Sequence, residues 1–180
     1  MKNANATNEV PAASGPQYIT LKSGSALKLG KHADGTISYK VACDTGRTAL
    51  FLAITDNSSG GYFSREYVSV VRIEELLAKI DQSGFPSKVL KAAFTGMSSN
   101  NAGFLAASLH AEGLLVRAAD SETKHVRAGD WAKWKTSSLA LEGTPEEMGS
   151  PPAGAADATD SPANNKVITA KPHKPVNPTK

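Results

Sequence analysis

The sequence predicts an α+β fold in which antiparallel strands come first and helices follow. Up to about Val68, apolar residues recur at every second position, a spacing typical of half-buried strands. From Val70 onward they recur at every third or fourth position, which is typical of helices. After Gly113 an apolar run precedes a polar loop, which indicates a return to strands. The change from sheet to helix is therefore expected near residue 70.

The first part of the chain predicts an antiparallel β-meander of four or five strands over about residues 18–68. Asp34 and Gly35 separate two alternating runs, and this dipeptide is typical of a tight hairpin turn. Residues 48–55 are apolar on both faces, so this strand is expected at the centre of the sheet. Residues 62–68 form the last predicted strand.

Three successive helices are predicted between about residues 70 and 113. The first spans about residues 70–82, where the apolar positions keep helical spacing. The second spans about residues 86–95, since Pro86 suits a first helical turn. The third follows Ser99, a favourable N-cap residue, and Gly113 suits the left-handed position after its last turn.

A hairpin with strands at about residues 114–118 and 123–127 completes this order of elements. With Gly96 in the turn and Leu109 closing the third helix, the sequence resembles a winged helix-turn-helix domain over about residues 72–130. The resemblance implies a three-helix module that carries a β-hairpin as its wing. It names a fold family and no particular protein.

The predicted organisation has four parts. Residues 1–16 form a disordered leader and residues 139–180 a disordered tail, because neither segment has a periodic apolar face. The antiparallel β-module spans residues 17–69. The winged-helix module spans residues 70–138 and includes a short final helix that Asp130 caps.

Composition narrows the class of protein. The formal net charge of +3 is compatible with a polyanionic partner. Cys43 is the only cysteine, so neither an intrachain disulfide nor a cysteine-based zinc site can form. No apolar window reaches the ~18 residues that a membrane span requires, so we expect a cytoplasmic protein without a membrane partner. The histidines are scattered without metal-ligand or catalytic spacing, which predicts a non-enzyme without cofactor or metal.

The resemblance implies that the third helix enters the major groove of duplex DNA while the wing contacts phosphates. The side chains expected to face outward and contact bases are Asn100, Asn101, Phe104 and Ser108. Those expected to contact phosphates are Lys88, Lys91, Arg117, Lys124, His125 and Arg127. Residues 60–66 are also similar to a segment of small proteins of bacterial mobile elements. We therefore expect a small transcriptional or mobile-element regulator with duplex DNA as partner and a homodimer as one possible state.

Two other functions stay open. A winged helix also serves as a protein-docking module, and an exposed Phe104 would be an apolar anchor for a protein partner. Single-stranded nucleic acid would stack on Tyr62, Phe63 and Tyr67, which lie on one predicted strand with Arg65 between them. Aromatic residues in a strand, however, more often pack in a core.

Overall fold

A computed structural model of the protein describes residues 17–30, 34–80 and 83–146. These residues form a mixed α+β fold with antiparallel strands, which confirms the predicted class. The strands are β1 (Tyr18–Leu27), β2 (Thr36–Asp44), β3 (Leu50–Asn57), β4 (Val68–Ser69), β5 (Phe85–Pro86), β6 (Leu115–Ala118), β7 (Ser121–Arg127) and β8 (Thr144–Pro145). The helices are α1 (Val70–Ala78), a 3-10 helix (Ser87–Ala93), α2 (Asn101–Ala111) and α3 (Trp131–Leu139). The predicted leader and residues 147–180 of the predicted tail lie outside the described residues.

The first four strands form an antiparallel meander, and β8 adds a fifth strand in the order β4-β3-β2-β1-β8. In β2, Ile37, Val41 and Cys43 are completely excluded from solvent, because alternate residues of a strand face the same side of the sheet. β8 pairs with the start of β1, although residues 144–145 fall in the range predicted as tail.

The segment of residues 61–67 departs from the predicted strand, and only Val68–Ser69 joins the sheet there. Its Glu66 carboxylate accepts hydrogen bonds from the backbone N–H groups of Thr95 and Gly96, both at 2.9 Å. Burial raises the pKa of Glu66, but its hydrogen bonds outweigh burial and hold the pKa at about 2. The segment is therefore tied to the loop before α2 instead of extending along β3.

The helices begin close to their predicted positions, with one change of type. α1 begins at Val70 as predicted. The second helix is a 3-10 helix, and the backbone N–H of Phe94 bonds to the carbonyl of Lys91, three residues earlier, at 3.1 Å. α2 follows Asn100 instead of Ser99 as its N-cap residue. Gly113 adopts a φ of 72° after α2, in agreement with its predicted left-handed position.

The predicted hairpin after α2 is confirmed, since β6 and β7 pair in the antiparallel direction. β5 lies on the other side of β7, where Phe85 pairs with His125, so the hairpin belongs to a three-stranded sheet. Asp130 then caps α3 as predicted, accepting a hydrogen bond from the backbone N–H of Lys133 at 2.9 Å.

α2 lies at the centre of a core that the meander and the helices share. It packs against β1, β2 and β3, and also against the 3-10 helix and β6. Leu105, Ala106, Ala107 and Leu109 are at most 1% exposed. Because successive residues are about 100° apart around a helix, these four positions occupy more than one side of α2. α2 is therefore a buried helix and not a surface helix with one apolar face.

Glu112 ties the end of α2 to the large sheet and to α3. Its carboxylate accepts hydrogen bonds from Lys22 Nζ at 2.5 Å, Trp134 Nε1 at 2.6 Å and the Tyr39 hydroxyl at 2.7 Å. The Glu112 side chain is only 6% exposed. Burial raises the pKa of Glu112, but the bonds from Lys22, Trp134 and Tyr39 outweigh burial and leave it lowered. The charged carboxylate is therefore the form that links the three elements.

Candidate functional site

The side chains predicted to contact bases are mostly buried. Asn101 and Ser108 are completely buried and Phe104 is 8% exposed, so the prediction that they face outward is wrong. The cause is that strands of the large sheet, the 3-10 helix and β6 all pack against α2. Asn100, the fourth residue of this set, is half-buried.

The two asparagines bind backbone groups of neighbouring loops. Asn101 accepts a hydrogen bond from the backbone N–H of Ser64 at 2.9 Å and donates one to the carbonyl of Gly96 at 3.2 Å. Asn100 donates to the carbonyl of Tyr62 at 2.9 Å. Buried amides need such partners to offset the loss of water. The first turn of α2 therefore uses these side chains to hold the loops around it.

Five of the six side chains predicted to contact phosphates are exposed. They are Lys88, Lys91, Arg117, Lys124 and Arg127. His125 is 2% exposed, and its ring packs edge-on against Phe85 with the ring centroids 6.0 Å apart. The expectation that His125 lies on the surface is therefore wrong. Successive strand residues point to opposite faces, and β7 turns Lys124 outward and His125 inward.

Lys88, Lys91 and Lys124 form what we call the basic surface. Lys88 and Lys91 lie three residues apart on the 3-10 helix, where that spacing places them on one side. Lys124 pairs with Pro86, the residue just before this helix. Within residues 17–30, 34–80 and 83–146, none of these three lysines forms an ion pair. The basic surface therefore presents three positive charges to solvent.

An open cleft of about 1020 Å³ borders the elements that carry the basic surface. Its walls come from the chain just after β1, the end of β3, the first turn of α2, the start of the 3-10 helix, β6 and β7. Ser87 and Thr123 line the cleft, each next in sequence to a lysine of the basic surface. The cleft is large enough for a ligand of ordinary small-molecule size.

Charged side chains of both signs line this cleft. The cations are Lys28 and Arg117, and the carboxylates are Asp34 and Glu122. Arg117 joins the hairpin to the end of β1, because its guanidinium donates to the carbonyl of Leu29 at 3.0 Å. Two cations from different elements therefore stand at one cleft.

Three side chains form what we call the serine–histidine chain at the wall of the cleft. Ser87 Oγ lies 2.6 Å from His125 Nε2, and His125 Nδ1 lies 2.9 Å from His110 Nε2. Burial, followed by the charges of His110 and Arg117, lowers the pKa of His125 to about 4. Burial, followed by the charge of Arg117, also lowers the pKa of His110. Both imidazoles are therefore neutral at pH 7.

Sequence reasoning missed the serine–histidine chain because its members lie on three separate elements. Ser87 opens the 3-10 helix, His110 is in the last turn of α2, and His125 is in β7. β5 directly precedes the 3-10 helix, so the pairing of β5 with β7 brings Ser87 close to His125. The alternation of β7 places His125 and Lys124 on opposite faces. It is the one local feature of the sequence that indicates an inward-facing His125.

We expect the free energy of unfolding to decrease as the pH is lowered, over a range that the pKa values of His125 in the folded and unfolded protein define. The pKa of His125 is about 4 in the folded protein against an ordinary 6.5, so the unfolded chain takes up the proton first. This contribution to stability should be complete above about pH 6.5. It should fall by about 3 kcal/mol as the pH approaches 4, at roughly 1.4 kcal/mol for each pKa unit.

Urea denaturation of the wild-type protein and the His125→Gln variant at about pH 7 and about pH 5 measures this loss. Carboxyl groups titrate in both proteins, so the difference between the two losses reports on His125. The wild-type protein should lose more free energy of unfolding than the variant. Equal losses would contradict the prediction.

No protein-family model matches the chain, and neither a curated protein nor a solved structure is detectably similar to it. In the part of the chain that the structure describes, no helix is long and apolar enough to cross a membrane. The same residues contain no cluster of three or more His, Cys, Asp or Glu side chains placed to hold a metal ion. The function must therefore be argued from the basic surface and the cleft.

Proposed function

We propose that the protein binds duplex DNA through the phosphate backbone, with the basic surface as the contact. The observation that carries this proposal is the exposure of Lys88, Lys91 and Lys124 on adjoining elements, without an ion-pair partner among the described residues. Lysines that are not neutralised by carboxylates attract phosphates, and each contact releases counterions from the duplex. A small DNA-associated regulator is the role that suits such a surface.

In this proposal the β6–β7 hairpin acts as the wing of a winged helix-turn-helix module, and the 3-10 helix takes the place of its second helix. The order of elements supports this assignment. Asn101 and Ser108 are buried, so they are not expected to read base edges. Phosphate contacts position a protein on the duplex but carry no sequence information directly, so binding should depend little on sequence.

The two other functions considered have less support. Protein docking through Phe104 would require a side chain more exposed than 8%. Of the three rings proposed to stack single-stranded bases, only Tyr62 is largely exposed, at 77%. Phe63 packs edge-on against Phe104, and Tyr67 stacks on Tyr18 with the ring centroids 3.8 Å apart.

We expect the triple change of Lys88, Lys91 and Lys124 to alanine to weaken binding to every duplex alike. If all three lysines contact phosphates, the slope of log binding constant against log salt should fall by about 2.7, since each contact contributes about 0.9. Fluorescence anisotropy with a labelled duplex of random sequence at several salt concentrations measures this slope. A second duplex of different sequence checks that the loss is general.

The matched control is Lys133→Ala, which removes an exposed lysine on α3, outside the basic surface. Its salt slope should equal that of the wild-type protein. If Lys133→Ala and a single change in the basic surface weakened binding equally, net charge would explain the binding and the basic surface would not. Absence of salt-dependent binding by the wild-type protein at low salt would end the proposal.

A further inference from the structure

We propose that the serine–histidine chain is a nucleophilic site that cleaves carboxylic esters carrying a negative charge. The inference is independent of DNA binding, because Ser87, His110 and His125 are not part of the basic surface. A nucleophilic serine requires a base within hydrogen-bond reach and a third group that orients the base. Ser87, His125 and His110 stand in this order, at 2.6 and 2.9 Å.

The position of Ser87 gives a substrate access to the chain. Ser87 is half-buried and lines the cleft, whereas His125 is 2% exposed and also forms part of its wall. Phe85 packs against the edge of the His125 ring from within the small sheet. Ser87 therefore borders a cavity large enough for a substrate, while its base is held by packing.

Proton positions in the chain are compatible with this chemistry. A neutral imidazole donates through one nitrogen and accepts through the other. Two arrangements satisfy both hydrogen bonds, and in one of them the Ser87 hydroxyl donates to His125 Nε2 while His125 Nδ1–H donates to His110 Nε2. In this arrangement His125 is the base and His110 is a positioning residue.

The reaction then proceeds in two balanced steps. Ser87 Oγ forms a bond to the ester carbonyl carbon and gives its proton to His125 Nε2. The bond from that carbon to the alcohol oxygen breaks, and the leaving oxygen takes the proton from His125. A water molecule, deprotonated by His125, next attacks the acyl-serine, and Ser87 recovers its proton from His125 as the acid is released.

The surroundings of the chain define the class of substrate. Lys28 and Arg117 line the same cleft, and the charge of Arg117 is close enough to lower the pKa values of His110 and His125. The carboxylates of Asp34 and Glu122 line the cleft as well, but Arg117 is the cleft residue whose charge acts on both histidines. Next to the chain, Arg117 therefore favours an anionic substrate and the oxyanion that forms during attack. An imidazole of low basicity removes the serine proton weakly, so esters with good leaving groups, such as phenol-type esters, are the expected substrates.

The first test is labelling of the full-length protein with a fluorophosphonate, which forms a bond from serine oxygen to phosphorus and releases fluoride. Mass spectrometry of peptides locates the label. We expect the label on Ser87 in the wild-type protein and in Ser137→Ala, which alters an exposed serine on α3 that does not line the cleft. Ser87→Ala should remove it, and a folded His125→Gln variant should label at least tenfold more slowly. An unlabelled Ser87 in the wild-type protein would overturn the proposal.

A second test follows the hydrolysis of 4-nitrophenyl hemisuccinate and of 4-nitrophenyl acetate. Ser87→Ala should lower both rates by about 100-fold, the lower range for loss of such catalysis. Arg117→Met should slow the anionic hemisuccinate more than the neutral acetate. Ser137→Ala should match the wild-type protein in both reactions. Unchanged rates in Ser87→Ala would show that the hydrogen bonds only stabilise the fold.

His110 requires a measurement that a purely structural role would not change. The rate of labelling should rise with pH as His125 loses its proton, with a midpoint near its pKa of about 4. In His110→Gln the midpoint should move upward, because the charge of His110 contributes to the low pKa of His125. This variant keeps the buried base itself, so it also guards against loss of folding in His125→Gln. An unchanged midpoint would remove His110 from the site.

Discussion

Replacing Leu109 by alanine is expected to lower the free energy of unfolding by about 2–5 kcal/mol. Leu109 is completely buried, and it lies on the helix that packs against three strands of the large sheet. The substitution removes apolar contacts and leaves a cavity that a closely packed core closes only in part. Urea denaturation followed by circular dichroism measures the loss.

Leu27→Ala is the matched control, because it makes the same chemical change at a side chain that is 74% exposed. It should change the free energy of unfolding by less than about 0.5 kcal/mol. A small effect at both positions would mean that α2 lies on the surface, as a helix that reads DNA would.

Replacing Glu112 by alanine is expected to cost about 3 kcal/mol, the lower end of the range for breaking a buried ion pair. The lower end applies because the Lys22 side chain is 36% exposed and recovers water once its partner is gone. Trp134 Nε1 and the Tyr39 hydroxyl would lose their acceptor at the same time. The free energy of unfolding in urea at about pH 7 gives the cost.

Two further variants separate charge from hydrogen bonding at this position. Glu112→Gln keeps an oxygen acceptor for Tyr39 or Trp134, so it should cost less than Glu112→Ala. Glu75→Ala removes an exposed carboxylate on α1 and should stay within about 0.5 kcal/mol of the wild-type protein. If Glu112→Ala were as mild as Glu75→Ala, Glu112 would not link α2 to the sheet and α3.

The elements with a strong local pattern could be predicted from the sequence. The meander follows from alternation of apolar residues, and α1 follows from apolar residues at helical spacing between Val70 and Leu77. Gly113 and Asp130 mark the end of one helix and the start of another, and both take the predicted roles. These signals depend on residues close in sequence, which is why no knowledge of the tertiary structure was needed.

The burial of α2 could not be predicted in the same way. Its sequence mixes small apolar residues with asparagine and serine, and this pattern predicts that Asn101 and Ser108 face solvent. Asn101 is instead satisfied by the backbone of Ser64 and Gly96, and Ser108 by the carbonyl of Phe104. A local pattern does not reveal a hydrogen-bond partner supplied by a distant loop.

The cleft and the serine–histidine chain depend on tertiary contacts in the same way. The sequence predicts that the second helix begins near Pro86, next to Ser87, but it also predicts that His125 is a surface contact. The orientation of His125 follows from which face of β7 packs inward, and that depends on Phe85 in β5. The exposed lysines could be predicted more easily, since charged side chains rarely lie completely buried.

The pairing of β1 with β8 has a consequence for synthesis of the chain on the ribosome. β1 is made before every other described element, yet Ile19 and Thr20 pair with Pro145 and Thr144, which are made after all of them. Until then the start of β1, at Ile19 and Thr20, presents an open sheet edge that can pair with another chain. Once β8 is paired, Pro145 has no backbone N–H to donate to a further strand. β8 therefore also hinders the addition of another strand at this edge of the sheet.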